Sequence, residues 1–490
     1  MTRFPFDNSY ARLPQRFFTR TNPTPVASPR LVRLNPALAR ELGLDPDALA
    51  AEEWAAMFAG NQVPEGAEPI AMAYAGHQFG TFVPQLGDGR AILLGEVVDA
   101  NGIRRDIQLK GAGRTPWSRG GDGRAAIGPV LREYIVSEAM AALGIRTTRS
   151  LAAVTTGEPV FREDVLPGAV LTRVASSHIR VGTFQYFASR GDVEGVRLLA
   201  DHVIARHYPE AAGAERPYHA LLAAVVEAQA TLIADWLLVG FIHGVMNTDN
   251  MSIAGETIDY GPCAFLDEYN AGKVFSSIDR HGRYAYGNQP SMGGWNLTRL
   301  AECLLPLLSE DQDAAVAEGQ ETLGAYGPAF ERRYHAGLRR KIGLVTEQDD
   351  DMPLVLELLQ AMHATKADFT LTFRRLCDAA AGTDNDAALE SLFSEPSALR
   401  AWLPRWRRRL ADEPADATER AAAMRLVNPA FIPRNHRVEA VIQAAIDEDF
   451  APFEELLAVV SRPYEEQPAF AEYAQPPREN ERVLQTFCGT

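Results

Sequence analysis

Cysteine is scarce in this sequence, and its few copies lie far apart. The 490 residues include four cysteines, which form neither a Cys-x-x-Cys pair nor a Cys/His cluster with metal-ligand spacing. A small disulfide scaffold needs several cysteines at short spacings, and disulfides are rare in reducing compartments. The cysteine pattern therefore excludes a disulfide scaffold and fits a reducing compartment.

Long apolar runs and an excess of positive charge are also missing. No run of about 18 apolar residues lacks a charge, and residues 1–18 have no apolar core of a signal peptide. Lys and Arg number 48 against 64 Asp and Glu, which gives a net charge of −16. Coating nucleic acid or anionic membranes needs a basic surface. We therefore expect a cytoplasmic protein that binds neither, with any anion site confined to a local region.

Several common site signatures are absent or misplaced. The sequence contains no Walker A motif, no HExxH and no GxSxG, which argues against a P-loop protein, a zinc protease and a serine hydrolase. Gly121 to Ala126 matches GxGxxA, but this segment does not follow a predicted strand. It therefore gives little support to a dinucleotide-binding fold.

The chain divides into four stretches that differ in composition and in predicted secondary structure. With 46% hydrophobic residues it can build a sizeable core, and its length suggests about three structural units. Residues 1–65 form a proline-punctuated lead-in with two short helices predicted to begin at Pro36 and Pro46, each after a good N-cap residue, Asn35 and Asp45. Residues 66–185 alternate β-type runs and glycine turns with one helix. Residues 186–460 are mainly helical, and residues 461–490 have little periodicity. We predict an α+β fold with an N-terminal extension, a small-sheet lobe, a helical lobe and a C-terminal strap.

One segment reverses the acidic character of the chain. Residues 104–132 contain seven Arg or Lys against two Asp, and the same segment holds six glycines. Glycine loops allow backbone N–H groups to turn towards a ligand, and basic side chains neutralise phosphates. This segment is therefore a candidate phosphate site.

The order of elements around that segment resembles the N-lobe of a protein kinase. Residues 91–110 read as a hairpin whose second strand ends in Lys110, and a helix predicted over 129–143 carries Glu133 and Glu138. In kinases a strand lysine holds nucleotide phosphates and is itself held by a helix carboxylate. Both glutamates fall on apolar helical stripes, so spacing leaves both open as partners of Lys110.

A second candidate site lies in the polar segment 243–262. A two-residue turn at Gly255-Glu256 would bring Asn250 diagonal to Asp259 on one face of a hairpin, about 7 to 8 Å apart. Amide and carboxylate oxygens suit Mg²⁺ or Mn²⁺. Asp249 would point to the other side of the chain, where it is free to act as a base on a hydroxyl.

The same segment both matches and departs from the kinase pattern. Asp259-Tyr260-Gly261 follows the predicted hairpin as the Asp-Phe-Gly metal motif does in kinases. The kinase signature HRD with an Asn five residues after its Asp is missing, because Asp249 and Asn250 are adjacent. The ordinary kinase catalytic loop is therefore not present.

Six motifs, taken together, resemble the selenoprotein O family, also called the YdiU family, over about residues 5 to 490. They are YAGHQFG (74–80), QLGDGR (85–90), QLKGAGRTPWSRGGDGRA (108–125), HGVMNTDNM (243–251), IDYGPCAFLD (258–267) and NPAFIPRNH (428–436). The resemblance implies a kinase-like bilobal fold that transfers AMP from ATP to Ser, Thr or Tyr hydroxyls of proteins and releases pyrophosphate. It also implies that ATP binds in a flipped orientation relative to ordinary kinases.

The resemblance also assigns residues. It implies that Asp249 is the catalytic proton acceptor, that Asn250 and Asp259 hold Mg²⁺ or Mn²⁺, and that Glu133 pairs with Lys110. The ATP contacts that it implies are Gly87, Gly89, Arg90, Lys110, Asp122, Gly123, Arg173, Arg180 and Asp259.

Two further expectations accompany the resemblance. Cys488 stands where family members carry cysteine or selenocysteine, and a regulatory disulfide with Cys263 is one hypothesis. The alternatives to AMP transfer are UMP transfer from UTP with Mn²⁺, γ-phosphoryl transfer as in a kinase, and a silent nucleotide-binding scaffold. The presence of Asp249, Asn250 and Asp259 argues against the scaffold.

Overall fold

The computed structural model describes residues 4–487 and has an α+β architecture, as predicted, with an antiparallel sheet and many helices compatible with a bilobal fold. The strands are β1 (Phe18–Arg20), β2 (Arg30–Leu34), β3 (Ile70–Met72), β4 (Gly76–Gln78), β5 (Thr81–Val83), β6 (Ala91–Val98), β7 (Arg104–Lys110), β8 (Ala125–Ala126), β9 (Arg149–Phe161), β10 (Val165–Ala175), β11 (Phe241–Ile242) and β12 (Ala264–Phe265).

Helices make up most of the second half of the chain. The first eight are α1 (Pro36–Glu41), α2 (Ala51–Phe58), α3 (Ile127–Ala142), α4 (Val181–Ala188), α5 (Val193–His207), α6 (Pro217–Leu238), α7 (Gln289–Leu308) and α8 (Gln312–Gly324). The others are α9 (Tyr326–Lys341), α10 (Asp351–Thr365), α11 (Phe369–Ala381), α12 (Asp386–Glu390), α13 (Ser397–Leu410), α14 (Ala417–Arg425), α15 (Asn435–Ile446) and α16 (Ala451–Val460).

The main sheet has the order β1-β3-β6-β7-β10-β9-β2, and β8 pairs with β10 outside that path. The predicted hairpin is confirmed as β6 and β7, whose register places Ala91 opposite Lys110. On the other side of β7, Gln108 lies opposite Arg173 of β10. Because alternate residues of a strand share a face, Gln108, Lys110 and Arg173 all point to the same side of the sheet.

Three apolar clusters cover the sheet and fill the helical part. One face of the sheet packs on α1 and α2, with Trp54 and Phe58 against Ile107. The second cluster joins α3 to α15 and α16, and the largest fills the helical region from α4 to α14. The sheet is therefore held between the N-terminal helices on one side and α3 with the C-terminal helices on the other.

The first 65 residues contain more than the predicted helices. The helix after Asn35-Pro36 is confirmed as α1, whose N-terminus is capped by the Asn35 side chain. The helix predicted to begin at Pro46 begins at Ala51 instead, and Asp45 forms a local turn by accepting a hydrogen bond from the Asp47 N–H. Strands β1 and β2 of this stretch pair with β3 and β9 of the main sheet.

The four-part division of the chain stays a prediction, and two features bear on it. Helices α15 and α16, from the stretch predicted as the helical lobe, pack on α3. After α16 the described chain continues through short 3₁₀ turns and then runs beside residues 275–277, where Thr486 N–H donates to Phe275 O.

Among the described residues, α6 alone is long and apolar enough to span a membrane, and 61% of its most apolar window is buried in the core.

Candidate active site

A basic cleft lies where β6, β7 and β10 face the segment 245–261. Its volume is about 560 Å³. Seven Arg or Lys residues line it against four Asp, in a protein whose net charge is −16. All the residues predicted from the sequence for catalysis, nucleotide contact and metal binding line this cleft: Gly87, Gly89, Arg90, Lys110, Asp122, Gly123, Arg173, Arg180, Asp249, Asn250 and Asp259.

Lys110 forms an ion pair with Glu133, so the structure distinguishes the two glutamates that the sequence left open. Lys110 Nζ lies 2.6 Å from Glu133 Oε2. Five residues further along α3, a rotation of roughly 140° turns Glu138 away from the cleft. Glu138 instead accepts hydrogen bonds from Arg149 at 2.8 and 2.7 Å. The two carboxylates of α3 therefore serve separate ion pairs.

Asp259 lies at the centre of the positive charge. Its carboxylate is 2.9 Å from Lys110 Nζ and 2.6 Å from Arg173 Nη1, and it also accepts a hydrogen bond from Arg180. Burial opposes the charge, but the three cations together hold the pKa of Asp259 well below its usual range. Asp259 is therefore an ionised carboxylate, and its φ of +64° is an uncommon left-handed conformation for a residue other than glycine.

The hairpin predicted to bring Asn250 and Asp259 together is not formed. Ile253 N–H donates to Ile179 O, and Thr257 N–H donates to Arg146 O, so each arm pairs with a different segment. The turn is closed by Gly255 N–H on Ser252 O and therefore lies earlier than predicted. Arg180 nevertheless connects the two ends of segment 249–259, because its Nη1 donates to both the Asp249 carbonyl and the Asp259 carboxylate.

Asp249 is a buried carboxylate with one oxygen in use and one without a partner. Its exposure is 7%, and burial raises the pKa of its carboxyl to about 6. Oδ2 accepts a hydrogen bond of 3.2 Å from the Gln78 amide, whereas Oδ1 has no hydrogen-bond partner among residues 4–487. A carboxylate with a pKa near neutrality and an open acceptor atom is suited to removing a proton from a hydroxyl.

A short hairpin that sequence reasoning missed holds the Asp249 turn. Strands β4 and β5 form this hairpin, and its backbone donates to the side chains of the turn: His77 N–H to Thr248 Oγ1 at 2.7 Å and Phe79 N–H to Asn247 Oδ1 at 2.9 Å. Its motif, YAGHQFG, was visible in the sequence, but periodicity has nothing to detect in strands of three residues. The close approach requires glycine, since a Cβ on Gly76 would lie 2.5 Å from Asp249 Oδ1.

Comparison with known proteins identifies the family. The family model described as Protein adenylyltransferase SelO matches residues 1–461. The chain belongs to the SelO family. It is 70% identical over 488 residues to the protein nucleotidyltransferase YdiU of Bradyrhizobium sp. (strain BTAi1), with 99% of each chain covered. It is 67% identical over 491 residues to the YdiU protein of Rhizobium meliloti (strain 1021), with both chains fully covered.

Membership of the SelO family confirms the resemblance predicted from the sequence. It also confirms the predicted enzyme class, a nucleotidyltransferase, and does not favour a kinase or a silent scaffold. The regulatory disulfide stays a hypothesis, since Cys488 lies outside the described residues. Cys263 itself is buried, four residues after Asp259.

Part of the lining of the SelO cleft, which we call the rim, consists of Gly87, Gly89, Arg90, Asp122 and Gly123. Gly87 has φ +74° and lies against the Trp117 ring, where a Cβ would come within 2.4 Å of ring carbons. Asp122 accepts a hydrogen bond from the Arg124 N–H at 2.9 Å and forms an ion pair with Arg162 at 2.8 Å. The rim is therefore made of glycine-bearing turns held in place by local polar contacts.

The donor atoms at Asn250 and Asp259 fit a hard divalent cation. The Asn250 amide nitrogen donates to Val245 O at 3.0 Å, so the amide oxygen is the atom left for a cation. Asp259 supplies an ionised carboxylate that lines the same cleft. Oxygen donors of this kind suit Mg²⁺ or Mn²⁺, which complete their coordination with water and phosphate oxygens. Among residues 4–487 no group of three or more His, Cys, Asp or Glu could hold a metal ion.

Proposed function

We propose that this protein transfers AMP from ATP to the hydroxyl groups of Ser, Thr or Tyr side chains in other proteins and releases pyrophosphate. The observation that carries the proposal is the juxtaposition of a buried, partly unpartnered Asp249 carboxylate with a cleft lined by seven cations. The membership of the SelO family and the name of its family model support it.

A kinase-like arrangement of the nucleotide site is part of the proposal. The ion pair of Lys110 and Glu133 joins the last residue of β7 to α3, as the strand lysine and helix glutamate are joined in protein kinases. Asp259 of the Asp-Tyr-Gly motif contacts the same lysine. These contacts support a kinase-like lobe that has lost the ordinary catalytic loop.

In the proposed complex the triphosphate of ATP runs along the basic cleft in a flipped orientation, so that its α-phosphorus faces Asp249. The rim residues Gly87, Gly89, Arg90, Asp122 and Gly123 would hold the far end of the nucleotide. Arg173 and Arg180 are buried, and their planar guanidinium groups can each bind two oxygen atoms. The seven cations of the lining outnumber its four Asp by three, an excess of positive charge larger than a single phosphate group requires, which supports a triphosphate as the ligand.

The reaction proposed for these residues is an in-line displacement at the α-phosphorus. Asp249 accepts the proton of the attacking hydroxyl, the new P–O bond forms to the substrate oxygen, and the bond to the β-phosphate bridging oxygen breaks. Lys110, Arg173 and Arg180 stabilise the negative charge that develops on the departing pyrophosphate. Asn250 and Asp259 would hold Mg²⁺ or Mn²⁺, which supplies charge neutralisation at the phosphate oxygens. Gln78 orients Asp249 through its hydrogen bond.

The proposal is tested by asking which phosphorus atom of ATP reaches the acceptor protein. The protein is incubated with an acceptor mixture, Mg²⁺ or Mn²⁺, and ATP labelled either at the α or at the γ position. We expect label on protein from the α position alone, and we expect Asp249→Asn and Asp259→Ala to abolish it. Label from the γ position alone would contradict the proposal and identify a kinase.

Transfer of UMP from UTP with Mn²⁺ is the alternative that would use the same residues. Repeating the assay with α-labelled UTP distinguishes it from AMP transfer.

The location that we propose for the protein is the cytoplasm. The scarcity of cysteine and the buried position of the long apolar helix α6 support it.

A further inference from the structure

A patch of exposed and half-buried aromatic and apolar side chains surrounds one half-buried arginine beside the cleft that contains Asp249. We call it the Arg283 patch and define it by Phe79, Phe82, Ile278, Arg283 and Trp295. Phe82 is 37% exposed and Ile278 is 53% exposed. Phe79 and Ile278 also line the cleft that contains Asp249, so the patch continues directly from the candidate active site.

The Arg283 patch is tied to the catalytic turn through one side chain. Asn247, two residues before Asp249, accepts hydrogen bonds from Phe79 N–H at 2.9 Å and from the Tyr284 hydroxyl at 2.7 Å. Phe79 and Tyr284 come from two of the three segments that carry the patch, the β4–β5 hairpin and the loop before α7, while Trp295 lies on α7. The position of the patch relative to Asp249 is therefore fixed by direct hydrogen bonds.

The Arg283 side chain lies against aromatic rings and forms no ion pair with an Asp or Glu of residues 4–487. Its guanidinium carbon lies 4.7 Å from the centroid of the Trp295 ring and 5.7 Å from that of Tyr284. Its Nε is buried without a hydrogen-bond partner in the described chain, and only its backbone N–H contacts a carboxylate, that of Asp279 at 2.9 Å. Arg299, on the same Trp295 ring, differs because it pairs with Glu302 at 2.7 Å.

The Arg283 side chain carries a positive charge that no ion pair neutralises, in a protein that is acidic as a whole. Asp and Glu outnumber Lys and Arg by 64 to 48, and many surface arginines of this chain have carboxylate partners. Because Nε is buried, the Nη groups are the donors left for another molecule, and paired guanidinium N–H groups match a carboxylate. The charge and shape of the Arg283 patch therefore suit an acidic side chain from another molecule.

We propose that the Arg283 patch binds the segment of the substrate protein that flanks the modified hydroxyl, and that Arg283 selects substrates with Asp or Glu near that hydroxyl. This inference rests on the proposed function, since it assumes a polypeptide acceptor at Asp249. Phe79, Phe82 and Ile278 provide the apolar surface on which the flanking segment lies. Lys or Arg at the same position of the substrate is disfavoured by charge repulsion.

The test uses one acceptor peptide series and two charge-reversal variants. Each peptide carries one Ser, Thr or Tyr, and a single Asp, Ala or Lys is moved stepwise through the flanking positions. The full chain, Arg283→Glu and Arg280→Glu are assayed for transfer from α-labelled ATP. Arg280 is the matched control, because it is an exposed arginine three residues earlier in the same loop.

We expect the unaltered protein to prefer Asp over Ala at one or two positions by at least about fivefold in kcat/KM, mainly through KM. Arg283→Glu should reverse this preference in favour of Lys at the same positions, while Arg280→Glu should keep it. A gain of activity on Lys peptides cannot result from misfolding, so the reversal reports directly on recognition.

Two negative results have different meanings. If the unaltered protein labels acceptor proteins but treats all peptides alike or labels none of them, or if Arg283→Glu does not change the preference, the assignment of Arg283 is wrong and the proposed function stands. If the unaltered protein transfers no α-label to any protein, the proposed function fails and this inference fails with it.

Discussion

At the scale of single residues, the account depends most on the ionisation of Asp249. Burial raises the pKa of this carboxyl to about 6, and the Gln78 amide opposes that rise by donating to Oδ2. A general base acts in its deprotonated form, so activity should be present above pH 6 and should fall as the pH drops through about 6.

Gln78→Leu tests the link between these two side chains. Loss of the hydrogen bond should raise the pKa of Asp249 further, so the acidic limb of the kcat/KM profile should move to higher pH. Gln360→Leu, at an exposed position of α10, serves as the control and should leave the profile unchanged. The pH dependence of AMP transfer measures both. An acidic limb that stays in place in Gln78→Leu would contradict the assigned role of Gln78.

The two glutamates of α3 allow a matched comparison. Glu133→Gln weakens the contacts with Lys110 and Arg173 in the cleft, whereas Glu138→Gln weakens contacts outside it, with Arg149, Asn35 and Ser150. Both variants should lose about 1–3 kcal/mol of unfolding free energy, because both leave a buried cation with a weaker partner. We expect Glu133→Gln alone to lose about tenfold or more in kcat/KM, which is ~1.4 kcal/mol of transition-state stabilisation. Equal activities in the two variants would contradict the assignment.

At the scale of elements, the β4–β5 hairpin is the feature that positions the catalytic turn. Gly76→Ala should displace Asp249, since the added Cβ would lie 2.5 Å from Oδ1 and 2.9 Å from Cβ of that residue. We expect a loss of activity of about 100-fold, the size of a typical general-base contribution. Gly327→Ala in α9, where no atom lies within 4 Å of the added Cβ, should retain activity.

Thermal unfolding shows whether a loss of activity in Gly76→Ala comes from a displaced Asp249 or from a less stable fold. The variant should unfold as cooperatively as the unaltered protein, because the hairpin lies at the edge of the cleft and not in the main core. If Gly76→Ala keeps full activity, the hairpin does not position Asp249.

Elements with local signals were predictable from the sequence, and elements made by distant pairing were not. The β6–β7 hairpin has two β-type runs joined by a glycine-containing turn, and α3 has a strong helical pattern, so both were predicted. Strand β2 pairs with β9 more than a hundred residues away, which no local pattern reveals. The hairpin predicted at Gly255 failed for the same reason, because residues 253 and 257 form backbone hydrogen bonds with distant segments.

The site residues also divide into those that local motifs revealed and those whose contacts depend on distant segments. Lys110, Asp249, Asn250 and Asp259 stand in conspicuous motifs and were found as candidates, although their arrangement in a hairpin was wrong. The contact of Gln78 with Asp249 joins segments 171 residues apart, so it required the fold. Helical spacing treats Glu133 and Glu138 alike, so before the fold was known only the family resemblance favoured Glu133, and the structure shows that pair directly.

At the scale of the whole molecule, the distribution of charge would account for the proposed binding of ATP by an acidic protein. The net charge of −16 repels a polyanion from most of the surface, and the seven cations of the cleft concentrate the attraction in one place. Because Coulomb interactions at a partly open cleft are screened by salt, the KM for ATP should rise with ionic strength. A KM that does not change between low and high salt would contradict a binding site dominated by these cations.

The measurement that tests the central claim most directly is the mass of the modified acceptor. An acceptor protein incubated with the unaltered enzyme, ATP and Mg²⁺ or Mn²⁺ should gain the mass of an adenylyl group on a Ser, Thr or Tyr side chain. The Asp249→Asn variant should give no such adduct. A phosphate adduct without an adenylyl adduct, or an adenylyl adduct of equal yield with Asp249→Asn, would contradict the account.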